Sequence, residues 1–307
     1  MKALFLFLTI ALCADLMAQN TAKPDSVWLF ASFKDPGDGG IWLALSSNGL
    51  KWTPANNNQP LLIPDLAKGK MRDPFICRDP NNEFHMLWTS GLGRIGHATS
   101  KDLVSWSEHQ LIPIRPDDQR ILNTWAPEMI YDRQHSEWVI FWSSTVKGDF
   151  LETDGQVENE KNHRIYAMTT KDWKSFSTPK LFFDPGYPVI DATIVQDKKQ
   201  YLMVFKDERR WPMHKQLRTA KSNSIYGPWT EISEPLTGEW TEGPSLVRLN
   251  GAFVIYFDAY KDPKKMDAIR SIDFKNWKKV SDGIVFPELY KHGSFLKISR
   301  QEAEKIN

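Results

Sequence analysis

Short apolar runs recur along this chain with polar punctuation between them. Phe84-His-Met-Leu-Trp88, Trp138-Val-Ile-Phe-Trp142, Tyr201-Leu-Met-Val-Phe205 and Phe253-Val-Ile-Tyr-Phe257 are rich in aromatic and β-branched side chains and are bounded by turn residues. Runs of this length and composition predict strands. Each is preceded by another: Asp73-Pro-Phe-Ile-Cys77, Trp125-Ala-Pro-Glu-Met-Ile-Tyr131, Ile190-Asp-Ala-Thr-Ile-Val195 and Glu242-Gly-Pro-Ser-Leu-Val247. Arg94–Thr99 and Trp106–Ile112 supply a third and a fourth strand to the first unit, and the pattern predicts four strands in every unit. No window sustains an apolar 3.6-residue period, so the chain reads as all-β, with a helical turn or two expected only at Arg300–Ile306.

A polar turn ending in an aromatic anchor repeats beside these runs. It appears as Ser46–Trp52, Ser100–Trp106, Thr170–Phe176, Lys221–Trp229 and Ser271–Trp277, with the aromatic ends 54, 70, 53 and 48 residues apart. Repeats of roughly 40–50 residues built from strands are the mark of propeller blades. A fifth opening strand, His292-Gly-Ser-Phe-Leu-Lys-Ile298, stands alone near the C-terminus. The partners it lacks are at the other end of the sequence, at Val27–Phe33, Ile41–Leu45 and the residues after Trp52. The expectation is a five-bladed β-propeller over residues 19–307, a single domain, its ring closed by N-terminal strands pairing with the C-terminal strand. A two-sheet sandwich would account for the strand density but not for the period or the orphan strand.

Composition narrows the partners. The 39 Lys and Arg against 38 Asp and Glu leave a formal charge of +1, which provides no broad basic field for nucleic acid or an anionic membrane. Lys2, the apolar run Ala3–Cys13 and the small-residue approach to Ala18 have the layout of a cleaved secretory signal over residues 1–18, predicting an exported or periplasmic protein. No later run reaches the roughly 18 apolar residues of a membrane-spanning helix, so no membrane insertion is expected. Leu12 before Cys13 disfavours a lipoprotein signal. Without Cys13, Cys77 has no disulfide partner and reads as a small core residue.

In a propeller the first strand of each blade lines the central channel, which brings Asp73, Trp125 to Glu128, Asp191, Glu242 and His292 toward one volume. A strand built only for packing would carry Val or Ile there, because burying an unpaired carboxylate is costly. Converging carboxylates suit the cleavage of an acetal between sugars, where one carboxyl group donates a proton and another, ionised, acts as base or nucleophile. Asp102, Asp172 and Asp273 recur in the repeated turns and read as scaffold that caps backbone N–H groups. The recurring Trp52, Trp106, Trp229 and Trp277 read as blade packing. Trp125 and Trp211 have no equivalents in other blades and are candidates for stacking on a sugar face; Glu128 is a candidate substrate contact or buried polar partner. Lys206–Arg210 extends the second strand of the third blade and either reaches the mouth or, the first expectation, forms a solvated charged loop, and Val146–Asn162 reads as a polar surface loop near the rim.

Met71-Arg-Asp-Pro-Phe-Ile76, Thr124-Trp-Ala-Pro-Glu-Met-Ile-Tyr-Asp132, Ile190–Val195, Glu242-Gly-Pro-Ser-Leu246 and His292-Gly-Ser294, in this order, resemble the successive motifs of glycoside hydrolase family 43, the five-bladed arabinofuranosidases, xylosidases and arabinanases. The resemblance runs from about Ser26 to Ile298. It implies an inverting hydrolase acting on an oligosaccharide or polysaccharide, with Asp73 as general base, Glu242 as general acid and Asp191 as the carboxylate that orients the acid and raises its pKa. It implies no required cofactor; a structural calcium or sodium ion at the axis is the one group it admits, with His292 as an ion or water ligand. α-L-Arabinofuranoside is the first substrate expected and β-xyloside the second. The Arg72-Asp73-Pro74 motif, also reminiscent of fructan-cleaving propellers, and the Ala192 that follows Asp191 keep a β-fructosidase, a galactofuranosidase or a non-catalytic sugar-binding propeller open. The oligomeric state is left open.

Overall fold

The computed structural model describes residues 25–307 except 92, 262, 281 and 282; the expected signal segment and Cys13 lie outside the described residues. Five antiparallel sheets carry almost all of the regular structure. Blade 1 holds Arg72–Arg78, Phe84–Gly91, Arg94–Ser100 and Gln110–Pro113, and blade 2 holds Trp125–Asp132, Glu137–Ser144, Arg164–Thr170 and Lys180–Phe183. Blade 3 holds Val189–Asp197, Gln200–Asp207 and Gln216–Ser222, and blade 4 holds Thr241–Leu249, Ala252–Ala259, Lys265–Ser271 and Lys278–Lys279. Blade 5 is composite: Lys291–Ser299 pairs with Ser26–Phe33, which pairs in turn with Ile41–Ser46 and then Thr53–Pro54. The ring therefore closes as the sequence predicts.

The second strand of each blade is buried on both faces because a neighbouring blade covers each side. That is why these strands read as unbroken apolar runs instead of alternating ones. Side chains still alternate with period two, and successive residues enter different cores. Met86 and Trp88 pack toward blade 5 while Leu87 packs toward blade 2. Met203 and Phe205 pack toward blade 2, whereas Leu202 and Val204 pack toward blade 4. Five apolar clusters result, each lying between two adjacent blades. A sandwich would have one shared core, so that alternative is excluded.

The repeated turn works as expected. Asp102 Oδ1 accepts from the N–H groups of Val104 and Ser105, and Asp172 and Asp273 do the same two and three residues downstream. The helix Arg300–Ile306 starts at a capping box between Ser299 and Glu302 and buries Ala303 and Ile306. Arg78 holds it to blade 1 through two bonds to Glu302, at 2.9 and 3.0 Å.

Two expectations need correction. Blade 3 has three strands, not four. Residues 230–236 do follow its outer edge, bonding at Thr230, Ser233 and Leu236, but Glu231 sits at φ 51° and Pro235 has no N–H, so no continuous ladder forms. The fourth strand of blade 1 covers Gln110–Pro113 only, with Trp106 contributing a lone bridge to Ser100.

Candidate active site

Every inner strand breaks register at the same place. The slip falls between Arg72 and Phe75, Trp125 and Glu128, Ile190 and Thr193, and Glu242 and Ser245, and at the matching point of Lys291–Ser299 against Ser26–Phe33. Each slip is a β-bulge, two residues on the inner strand facing one on its partner, a device that re-aims side chains at the rims of barrels and sites. Pro74, Pro127 and Pro244 sit inside three of the bulges, where the ladder bond is already lost and a missing N–H costs nothing. Ala192 fills the same place in blade 3, which accounts for the departure there.

These registers align the blades residue by residue. Arg72, Trp125, Ile190, Glu242 and Lys291 occupy one position, and all five line the well at the ring's centre. Asp73, Ala126, Asp191, Gly243 and His292 occupy the next. Thus Asp73, Asp191 and His292 share a phase while Glu242 precedes it by one residue, a correction to the sequence reading, which placed all four alike. Asp73, Ala126, Asp191 and Gly243 have φ of 49, 47, 55 and 57°. Left-handed non-glycine residues cost on the order of 1–3 kcal/mol each and cluster where function demands a particular aim.

A polar belt fastens the bulges to one another. Thr89, near the end of the second strand of blade 1, donates to Asp73 Oδ2 at 2.8 Å and accepts from Ala126 N of blade 2 at 2.8 Å. Ser143 of blade 2 accepts from Asp191 N of blade 3, and Asp191 Oδ2 accepts from Gly243 N of blade 4 at 3.1 Å. Asp258 of blade 4 accepts from His292 N of blade 5 at 3.0 Å. Blades 1 to 4 thereby each orient the bulge backbone of the next blade.

The well encloses about 700 Å³, within the range of small-ligand sites. Asp73, Asp191, Glu242 and His292 all line it, as does Trp125. His292 Nδ1 lies 3.4 Å from Asp73 Oδ1. Burial alone would push the Asp73 carboxyl up; the His292 hydrogen bond and charge, the Arg72 guanidinium and the Thr89 hydroxyl outweigh it and hold Asp73 below the usual carboxylate value. Burial lifts Asp191 to about 6, with the Glu242 and Asp73 charges adding to the rise and His292 and Lys206 opposing it. Burial and then the Glu242 charge lift Asp258 to about 7. Burial would lower His292, but the Asp73 hydrogen bond and the surrounding carboxylates raise it to about 10. The well therefore contains a firmly ionised carboxylate, an imidazolium and two carboxyl groups that titrate near neutrality.

Two residues expected at the site are elsewhere. Trp211 does not line the well: it is 53% exposed on the loop after the second strand of blade 3, with the Arg210 guanidinium 5.4 Å from its ring. Glu128 falls one position past the bulge, level with Phe75, Thr193 and Ser245, one residue pair further along the strand than Trp125, and does not line the well. It is buried there, and burial lifts its carboxyl to about 8. The Lys206–Arg210 segment is not a solvated loop, since Lys206 is 2% exposed and Asp207 fully buried. Lys206 Nζ donates to Glu242 Oε2 at 3.1 Å and lies 2.8 Å from Glu208 Oε2. Residues 146–162 contribute a short 3-10 helix, Leu151–Gln156, and bring Lys161 to 4.5 Å from the ring of Trp125. Among the described residues, Asp79, Glu83 and His85 bring ligand atoms within 4.8 Å of one another, on the hairpin at the far end of the strand that carries Asp73.

Sequence reasoning missed Thr89 and Asp258, and it gave Lys206 a place at the mouth only as the second reading of its segment. A signal for them exists: each directly follows an aromatic residue that ends an apolar run, at Trp88-Thr89, Phe205-Lys206 and Phe257-Asp258, and Trp142-Ser143 repeats it.

Comparisons with known proteins agree with this geometry. A curated α-L-arabinofuranosidase of Bifidobacterium longum subsp. longum is 25% identical, matched over 74% of this chain and 25% of its own length. The chain thus spans about a quarter of that relative. Among solved structures, the α-L-arabinanase of Cellvibrio cellulosa complexed with arabinohexaose superposes with a TM-score of 0.58 at 13% identity, covering 89% of this chain and 96% of that one. A putative exo-β-1,3-galactanase from Bifidobacterium bifidum s17 gives 0.57 at 14%, covering 87% and 89%. At such identities these structures share the fold alone. The model of a family described as a probable glycosyl hydrolase domain, related to family 43, matches residues 24–304. With that match running across all five blades, the chain belongs to this family of glycosyl hydrolases.

Proposed function

We propose that this protein is an exported hydrolase that cleaves glycosidic bonds with inversion at the anomeric carbon, with α-L-arabinofuranosides as its first substrate class and β-xylosides as its second. The observation that carries the reading is the grouping of an ionised Asp73 with Glu242 and Asp191 around one well of about 700 Å³. Asp73 removes a proton from a water as the water oxygen bonds to the anomeric carbon. Glu242 gives its proton to the leaving oxygen as the C–O bond breaks and its electron pair goes to that oxygen. Asp191 acts on the acid through the backbone, since it accepts from Gly243 N directly after Glu242. Thr89 keeps Asp73 aimed, and Trp125 offers a ring face to the sugar. The name of the Bifidobacterium longum relative supports arabinofuranoside as the first choice.

A panel of aryl arabinofuranosides, xylosides, galactofuranosides and fructosides tests the proposal, with Asp73→Asn and Glu242→Gln as controls. Turnover that falls at least about a hundredfold in both variants is expected, from the usual weight of general acid–base catalysis. Proton NMR of the first-formed anomer is expected to show inversion. Wild-type turnover no greater than that of either variant across the panel would refute hydrolysis.

A further inference from the structure

The acid side of the well leads into a buried row of alternating charges. Lys206 Nζ contacts Glu242 at 3.1 Å and Glu208 at 2.8 Å; Glu208 pairs with Lys215, Lys215 lies 3.7 Å from Glu158, and Glu158 is 2.7 Å from Arg210. The Lys206 and Lys215 side chains are 3% and 4% exposed. Nζ of Lys206 also sits 4.7 Å from the ring centre of Tyr260. A row of this kind fixes Lys206: moving its ammonium would leave Glu208 with Lys215 alone and Glu242 without its cation, and breaking a buried pair by removing one partner is destabilising.

Chemistry then restricts Glu242. In a protonated carboxyl the hydroxyl oxygen donates and the carbonyl oxygen is by far the stronger acceptor, and an ammonium can only donate, so the pairing favours the carbonyl oxygen on the lysine side. The oxygen facing Lys206 is Oε2. When Glu242 carries its proton, Oε2 is the favoured acceptor, so the proton sits on Oε1. We infer that Lys206 is a positioning residue for the acid, fixing which oxygen of Glu242 holds the proton that goes to the leaving group. The inference rests on the reading of Glu242 as general acid. In the step it serves, the Oε1–H bond breaks, the proton passes to the glycosidic oxygen, and the resulting carboxylate is met by the Lys206 ammonium. The ammonium keeps its own proton throughout: burial pulls it down, but the Glu208 and Glu242 charges raise it well above the ordinary lysine value.

The test varies how much the leaving group needs a proton. A dinitrophenoxide leaves unaided, whereas an alkoxide does not. Lys206→Met is compared with wild type on dinitrophenyl, phenyl and methyl glycosides of whichever sugar the wild-type enzyme cleaves, after a thermal melt shows that the variant is folded. The expected kcat is down about a hundredfold on the methyl glycoside and less than about threefold on the dinitrophenyl glycoside, the lower bound of what acid catalysis supplies. Lys206→Arg, which keeps charge and donor, is expected to recover at least tenfold of the methyl glycoside loss, by the same measure. If Lys206→Met does not fold, Lys206→Gln is read on the same substrates with the same expected direction. An equal loss on all leaving groups, or no loss on any, overturns the inference. A wild-type enzyme that cleaves no glycoside overturns the hydrolase reading instead, so the two failures are distinct.

Discussion

Gly243→Ala probes the coupling between the bulge of blade 4 and the imidazolium at the axis. A Cβ on Gly243 would lie 2.5 Å from His292 Cγ, 2.8 Å from its Cβ and 2.9 Å from its Cδ2, at a backbone φ of +57°. The left-handed conformation costs an alanine about 1–2 kcal/mol. Overpacking against the ring adds about 1–3 kcal/mol, because His292 is held by Asp258 through its backbone and by Asp73 through its ring. The expected destabilisation is about 2–5 kcal/mol, or a fall in Tm of about 4–10 °C at roughly 2 °C per kcal/mol for a chain of this size. Gly251→Ala is the control. Gly251 has φ +81° in a hairpin, with nothing within 4 Å of its added Cβ, so it reports the backbone cost alone, about 1–2 kcal/mol. Differential scanning calorimetry of both variants isolates the collision. The displaced ring should also loosen its hold on Asp73, so the acid limb of kcat/KM is expected to move to higher pH in Gly243→Ala and to stay in place in Gly251→Ala. Coincident melting curves for the two variants would show that His292 yields without cost, and the account of a rigid axis would fail.

Other expectations follow from the same geometry. His292 is raised to about 10 from its unfolded value of 6.5, so its contribution to stability is complete below about pH 6.5 and lost as pH rises toward about 10; urea denaturation of wild type against His292→Gln across that window measures it, and parallel curves would refute it. Asp73 has the opposite sign: its lowered value gives stability that is present at neutral pH and lost as pH falls through the folded value, which Asp73→Asn should abolish. Thr89→Val removes a donor to Asp73 and strands the N–H of Ala126; it is expected to cost about 1–3 kcal/mol in chemical denaturation and to lower kcat more than it raises KM. Trp211→Ala is expected to leave kcat/KM on an aryl glycoside within about twofold, as for an exposed side chain away from the site, whereas Trp125→Ala raises KM; a matching loss in both variants would place Trp211 at the substrate after all.

The ring and its closure were readable because strand periodicity and the repeated turn are local signals that every blade restates. The candidate carboxylates stood out for the opposite reason: Asp73, Asp191 and Glu242 each break the repeat. What the sequence hid was phase. A bulge puts two residues opposite one, so counting along the inner strand assigns Glu242 the same aim as Asp73 and cannot show that Glu128 lies outside the lining of the well. Lys206 was hidden differently. Its neighbours Asp207, Glu208, Arg209 and Arg210 have the composition of a solvated loop, and only the pairing of Gln200–Asp207 between two other strands shows that Lys206 and Asp207 are enclosed. Trp211 follows that strand directly in sequence and leaves the surface of the well as the chain turns outward.

The composite blade also governs the order in which the molecule can be assembled. Ser32 finds Lys291 across 259 positions of sequence, so residues 26–33 wait, unpaired on their inner side, until residues 291–299 have been made. Blades 1 to 4 can each collapse from neighbouring hairpins, but the two apolar seams that flank residues 26–33 stay open until residues 291–299 arrive. The nascent chain thus carries Phe30 and Leu29 uncovered for longer than any comparable pair, and a chaperone able to shield that one segment would guard the slowest joint of the protein.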